Sequence, residues 1–271
     1  MNRAADATLH VESVGAGPPL VLLHGWGMHS GLWGPLLPWL AARLRVHAVD
    51  LPGHGHSANV EAPTLDAMTD AIAARFADES APLTVAGWSL GGLVALHWAR
   101  RQPARVARLA LVCTTPSFVA RAGWPHAMNA DTLMRFGDEL RVAYRPTLLR
   151  FLSLQMHGAA DAKSMLASLR RTLFARGDPS PTALAAALEV LANSDMRAEV
   201  PLIAQPALVI AGERDTLTPM PAAAWLATAL PRGRLVSIAG AGHVPFLSHP
   251  AQFVDALAGF LAEHSTSGVA A

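Results

Sequence analysis

The chain of 271 residues has a single cysteine, Cys113, so it can close no internal disulfide and build no cysteine-rich metal cage. Cys113 ends an apolar run that begins at Leu109, and a buried strand residue is its expected role rather than a reactive thiol. Lysine is just as scarce: Lys163 stands alone beside twenty arginines. Together with the many alanines, that bias reads as codon composition rather than as a functional signal. Charged residues make up 15% of the chain and the formal net charge is +1, so the overall balance makes no demand for nucleic acid. No apolar run approaches the roughly 20 residues of a membrane span, and residues 1–8 lack the apolar segment of a secretory signal. These absences predict a cytoplasmic protein without membrane association, expected to act as a monomer. No long polar or low-complexity linker divides the chain, which favours one domain over two.

What the chain does have is an alternation of short apolar runs with amphipathic segments, the pattern of an α/β protein with a mostly parallel sheet and helices on both faces. Strands are predicted at 20–23, 46–49, 83–86, 109–112, 206–211 and 235–238. Helices are predicted at 64–76, from 91 onward and at 250–264. The interval 117–202 breaks the alternation, with helical spacing at 132–142, 147–155, 160–174 and 182–191 and no convincing strand pair. A helical insertion between sheet strands belongs above their carboxyl ends, so 117–202 is expected to be a lid on a discontinuous core of 1–116 and 203–264. Residues 265–271 form a small polar tail expected to be disordered.

The organising stretch is Gly87-Trp88-Ser89-Leu90-Gly91-Gly92, between an apolar strand and a helix. A strand that turns into a helix within a few residues brings backbones close together, and glycines flanking the serine allow that approach. Ser89 is thereby lifted clear of the sheet as a candidate nucleophile, and the Leu90 amide at the helix start can face a developing oxyanion. A serine needs a base, and an imidazole base needs a carboxylate to hold its tautomer. Downstream, Asp215 follows the 206–211 run and His243 follows the 235–238 run, each at a strand's carboxyl end. Glu213 is the rival acid, and Asp215 is preferred because it comes after the turn at Gly212 and before a helix start. In His24-Gly25-Trp26-Gly27 the amide of Trp26 is the candidate second oxyanion donor. Of the twelve histidines most read as structural, and Gly53-His54-Gly55-His56 is too short to be more than a weak metal signal. No metal and no organic cofactor is expected.

His24-Gly25-Trp26-Gly27, Asp50-Leu51-Pro52-Gly53-His54-Gly55-His56-Ser57, the serine turn and Gly242-His243 together resemble the α/β-hydrolase superfamily across nearly the whole chain. Within it, Gly87 to Ala95, Trp124-Pro125, Arg150 to Gln155 and His243 to Pro250 are similar to the biotin-synthesis carboxylesterases that demethylate pimeloyl-acyl-carrier-protein methyl ester. That resemblance implies an α/β-hydrolase fold, the triad Ser89, Asp215 and His243, and substrate contacts from Trp26, Ser89, Leu90, Phe151, Leu152, Ser153, Leu154 and Gln155. The chain departs from the expected pattern in spacing Arg145 and Arg150 five residues apart, with Pro146 between them. Broad short-chain carboxylesterase and carbon–carbon bond hydrolase chemistry stay open on the same triad, as does, from another class, a receptor that has lost turnover. Serine rather than aspartate at the turn argues against haloalkane dehalogenase and epoxide hydrolase chemistry.

From Arg141 to Arg176 the chain carries seven basic side chains against one acid, Asp161. Such separation in a chain of net charge +1 suggests a partner. The resemblance supplies one: a strongly acidic acyl carrier protein, expected to dock on Arg141, Arg145, Arg150, Arg170 and Arg171.

Overall fold

The computed structural model describes residues 9–59, 64–155, 162–178 and 180–262. The tail at 265–271 lies outside the described residues. Seven strands form one sheet: β1 (Val11–Val14), β2 (Pro19–Leu23), β3 (Arg45–Val49), β4 (Leu83–Trp88), β5 (Val106–Val112), β6 (Ala207–Gly212) and β7 (Gly233–Ile238). Their spatial order is β1-β3-β2-β4-β5-β6-β7, with β1 antiparallel to β3 and every other pairing parallel. β2 and β6 are buried along their whole length, because helices cover both faces of a parallel sheet and their strands need no polar side. The edge strands β1 and β7 are largely half-buried or exposed, and Glu12 and Arg234 keep those edges polar.

Between the strands run α1 (Leu37–Ala41), α2 (Leu65–Arg75) and α3 (Leu90–Arg101). An insertion follows β5, consisting of α4 (Ala130–Val142), α5 (Tyr144–Gln155), α6 (Ala162–Phe174) and α7 (Pro181–Asn193). After β6 come α8 (Met220–Ala229), the single turn α9 (Pro245–Ser248) and α10 (Pro250–Ala262). The chain steps from β2 outward to β3, then back past β2 to β4 and on toward β7. Right-handed crossovers therefore place α1 on the face opposite α2, α3 and α8. The reversal between β2 and β4 is the switch point where loops leave in opposite directions and open a crevice at the strands' carboxyl ends.

Each strand and helix predicted from the sequence is present among the described residues, with ends shifted by a few residues, and the predicted ends at 160–161 and 263–264 lie outside the described residues. Among the described residues, the short strand β1, the 3-10 helices at Ser30–Leu36 and Val200–Leu202, α1 and α9 have no predicted counterpart, and of the alanine-rich α8 only the start after Asp215 was foreseen. Pro146 does not interrupt the insertion. It sits in the first turn of α5, where the amide it lacks has no intrahelical partner to lose.

Candidate active site

The turn after β4 puts Ser89 at φ 55° and ψ −118°, a conformation that side-chain-bearing residues rarely hold. Four hydrogen bonds to its backbone over-determine it: its amide donates to Val112 O at 2.9 Å, and its carbonyl accepts from Gly92 N at 2.9 Å, Leu93 N at 3.2 Å and Thr114 Oγ1 at 2.7 Å. The flanking glycines are steric necessities. A Cβ on Gly87 would stand 2.2 Å from Gly91 O, and one on Gly91 would stand 2.4 Å from Leu23 O. That second contact seats the start of α3 against the end of β2. The amide of Leu90 and the loop after β2 therefore face the same space.

The loops after β6 and β7 meet beside the serine turn. His243 Nδ1 donates to Asp215 Oδ2 at 2.8 Å, and both side chains are buried. Asp215 also accepts from Leu217 N at 2.8 Å, Thr218 N at 3.0 Å and Thr218 Oγ1 at 2.6 Å. Burial alone would raise its carboxyl, but His243 and the Thr218 donors outweigh burial and hold it below the usual range, so it is ionised. Trp88 steadies the other side of the pair by donating its indole N–H to His243 O at 2.8 Å. Glu213, the rival acid, faces away and accepts from Gly240 N at 2.8 Å on an exposed turn.

His24 is fully buried behind the β2 loop. Its Nε2 accepts from Leu51 N at 2.9 Å, so Nδ1 carries the proton and donates to Gly25 O at 2.8 Å. Burial, reinforced by His54 nearby, lowers its pKa to about 3, which keeps this imidazole neutral. The next residues carry Trp26, whose amide, like that of Leu90, donates to no acceptor among the described residues. Two unpartnered amides at the mouth of the serine turn can receive an oxyanion.

Ser89, His243 and Trp26 share the wall of a cavity of about 230 Å³ with Phe118, Met128, Leu133, Phe136, Phe151, Leu188, Leu191 and Leu217. None of the described lining residues is Asp, Glu, Lys or Arg. Trp26 and Leu188 also border a second cavity of about 390 Å³ between α4, α5 and α7, which is more polar and includes Asp138, Arg141, Tyr144 and Glu189.

The expected substrate run 151–155 is divided by helix geometry. Phe151 lines the smaller cavity and stacks on Phe136 at 5.1 Å between ring centroids. Leu152 turns into the core and Ser153 is exposed, because neighbouring residues on a helix point about 100° apart. Leu154 and Gln155 lie on α5, but their side chains lie outside the described residues. The other cavity-lining side chains on α4 and α7 went unrecognised in the sequence. Their signal is the three-residue spacing of Leu133 with Phe136 and of Leu188 with Leu191.

The basic surplus of the insertion also needs correction. Arg141 pairs with Asp138 at 3.4 Å, Arg145 with Asp178 at 2.8 Å, and Arg150 with Glu139. All three acids lie just outside the counted interval. From Asp138 to Asp178 there are seven basic residues and four acids, a surplus of three. Arg170 and Arg171 are exposed and make no ion pair among the described residues. Arg176 is not a surface charge at all: it reaches both carboxylate oxygens of buried Asp50, at 2.8 and 2.9 Å, and Glu12 at 2.7 Å.

Two clusters of described residues bring enough donors together to hold an ion: His10, Asp50 and His56, and Cys113, Asp215 and His243. In the first, the Arg176 guanidinium already occupies the carboxylate. In the second, Asp215 and His243 engage each other and burial pushes the Cys113 thiol well up, so it stays protonated. Neither donor set fits a resident metal.

A family model described as alpha/beta hydrolase fold matches residues 18–250. A curated relative from Nitrosomonas europaea, named "Pimeloyl-[acyl-carrier protein] methyl ester esterase", is 47% identical over 92% of this chain and 97% of its own. One of the same name from Xanthomonas axonopodis pv. citri is 44% identical over 94% of this chain and 99% of its own. Among solved structures, an esterase from Exiguobacterium antarcticum superposes with a TM-score of 0.88 at 22% identity, over 96% of this chain and 97% of that one. On the matched model, these near full-length relatives and the serine turn at the sheet's switch point, the chain belongs to the alpha/beta hydrolase fold family.

Proposed function

We propose that the chain is a serine carboxylesterase that hydrolyses the methyl ester of pimeloyl-acyl-carrier protein, releasing methanol and leaving the carrier-linked carboxylate. Ser89 Oγ attacks the ester carbonyl carbon while His243 takes its proton, and Asp215 stabilises the imidazolium that forms. The amides of Trp26 and Leu90 receive the oxyanion. His243 then passes the proton to the departing methoxide. Water, deprotonated by His243, cleaves the acyl-enzyme, and the serine recovers its proton. No step calls for a metal or an organic cofactor.

The observation that carries this reading is the cavity wall, in which Ser89 and His243 open onto apolar side chains with no charged residue. A neutral methyl ester enters such a wall at little desolvation cost, whereas the product carboxylate finds no cation and is expelled. The names of the relatives supply the acyl group and its carrier. The carrier is acidic, and the exposed arginines of the insertion suit it. Arg170 and Arg171 face solvent without partners among the described residues, and the exposed pairs of Arg141, Arg145 and Arg150 are weak enough to exchange one carboxylate for another. The reaction is then expected in the cytoplasm.

The test is mass spectrometry of the carrier after incubation with the enzyme. The pimeloyl chain is expected to stay on the carrier and lose only the methyl group. Ser89→Ala is expected to lower the rate by several orders of magnitude with the fold unchanged. Release of the whole acyl chain from the carrier, or near-wild-type turnover by Ser89→Ala, would overturn the assignment.

A further inference from the structure

The run from Trp26 to Ser30 carries one of the two oxyanion amides, yet it has little structure of its own. Its backbone makes one bond to the preceding turn, Met28 N to Gly25 O at 3.3 Å, and bends through Gly27 at φ 70°. What holds it is the helical insertion, at four of its five residues. The Trp26 indole donates to Leu184 O on α7 at 2.9 Å. The Tyr144 hydroxyl, at the start of α5, donates to Gly27 O at 3.1 Å. His29 Nδ1 accepts from Gly31 N, so Nε2 carries the proton and donates to Thr172 O on α6 at 2.8 Å. Arg176, in the turn after α6, donates to Ser30 Oγ at 2.9 Å and to both oxygens of Asp50, whose Oδ1 also accepts from Ser30 N at 2.7 Å.

We propose that Tyr144 and Arg176 are positioning residues for the Trp26 amide, so that the seated insertion completes the oxyanion site as well as covering the cavity. The proposal rests on the esterase reading above. An amide aimed at a developing oxyanion loses most of its effect when displaced by a fraction of an ångström. Three helices and a buried ion pair converge on a loop whose own backbone supplies one long bond to the preceding turn. The insertion and the oxyanion loop therefore move as one unit. A substrate that seats the helices raises kcat, and an ester too small to touch them is turned over in a less ordered site.

The experiment uses Tyr144→Phe, which removes one oxygen and keeps the ring, and Arg176→Met, with Arg176→Lys as the conservative control. Active sites are first counted by fluorophosphonate labelling, so that misfolded protein drops out of the rate. With a small neutral methyl ester, kcat per labelled site is expected to fall about threefold in Tyr144→Phe and about tenfold or more in Arg176→Met, with KM within about twofold of wild type. A boronate that forms a tetrahedral adduct at Ser89 should weaken by the same factor as kcat/KM, while binding of the product acid stays constant. Arg176→Lys should recover part of the loss. Amides 26–30 should exchange with deuterium faster in both variants, with those of β4 and α3 unchanged.

A kcat per labelled site equal to wild type in both variants would overturn the proposal, as would boronate and product acid weakening in equal proportion. Unchanged exchange at 26–30 would overturn it too, while leaving the esterase reading intact. A wild-type chain that neither hydrolyses the ester nor labels at Ser89 would overturn the esterase reading and the positioning role together.

Discussion

A single carboxylate decides which tautomer His243 presents to the serine turn. Asp215 accepts four hydrogen bonds, from His243 Nδ1, Thr218 Oγ1 and the amides of Leu217 and Thr218. An asparagine there would turn an amide NH₂ toward one of those four donors and remove the charge that stabilises the imidazolium. Asp215→Asn is expected to lower kcat by about 10⁴ with KM little changed, measured on a small methyl ester per labelled site. Thr218→Val, which removes one of the four bonds and keeps the shape, should cost about tenfold or less. If Asp215→Asn kept more than about a tenth of the wild-type rate, another acid would have to serve His243. Glu213 is poorly placed for that, since it is exposed and engaged with Gly240 N.

At the scale of elements, the proposed docking of an acidic carrier on the insertion rests on exposed charge. The double reversal Arg170→Glu and Arg171→Glu is expected to raise KM for a carrier-linked methyl ester several-fold, because each exposed contact is worth roughly 0.2–1 kcal/mol. The effect should shrink with added salt, and kcat/KM for a small neutral ester should hold steady. Equal losses on both substrates would mean damage to α6 instead of to a docking surface. The elements that the sequence revealed are those whose local pattern and burial agree: β2 and β6 are unbroken apolar runs buried end to end. β1 escaped notice because its four residues are mostly exposed and form a strand only by pairing with β3. In α8, alanines and Trp225 give no polar face, so helical periodicity is invisible. The placement of Ser89, Asp215 and His243 was legible because each sits in a turn next to a strand end, where local chemistry decides position. The cavity wall was not, since it depends on how α4 and α7 face each other across the site. The charge count went astray at the edges of its interval: Asp138 meets Arg141 one turn away on α4, and Glu139 and Asp178 reach Arg150 and Arg145 through helix packing.

Across the whole molecule, buried neutral histidines set an acid limit on the fold. His24, His29 and His54 all have pKa values lowered from 6.5, with burial the largest cause in each, and His24 falls to about 3. His24 and His29 are each locked as one tautomer by an accepting and a donating nitrogen, and His54 donates Nδ1–H to Pro52 O at 2.9 Å. Above about pH 7 these imidazoles are neutral whether the chain is folded or not, so they add no pH dependence. Below 6.5 the unfolded chain binds protons that the folded chain refuses, and for His24 this continues down to about pH 3. Stability therefore falls as pH falls through that window, by up to about 1.4 kcal/mol per pH unit for each histidine that stays neutral when folded. Asp50 and Asp215, whose carboxyls are held below their usual range, add a second loss in the same direction as pH drops below 3.8. Thermal melts are expected to give a Tm that is level from pH 8 to about 7, declines steadily from about 6 to 4, and steepens beyond. Asp50 ties this limit to the site, because its carboxylate holds Arg176 and the Ser30 amide together. In the folded chain Asp50 stays ionised through this window, so its hold on Arg176 and Ser30 persists until the fold itself is lost. A Tm that stays flat between pH 7 and 5 would show that the three imidazoles take up protons without disturbing the fold, contrary to their burial.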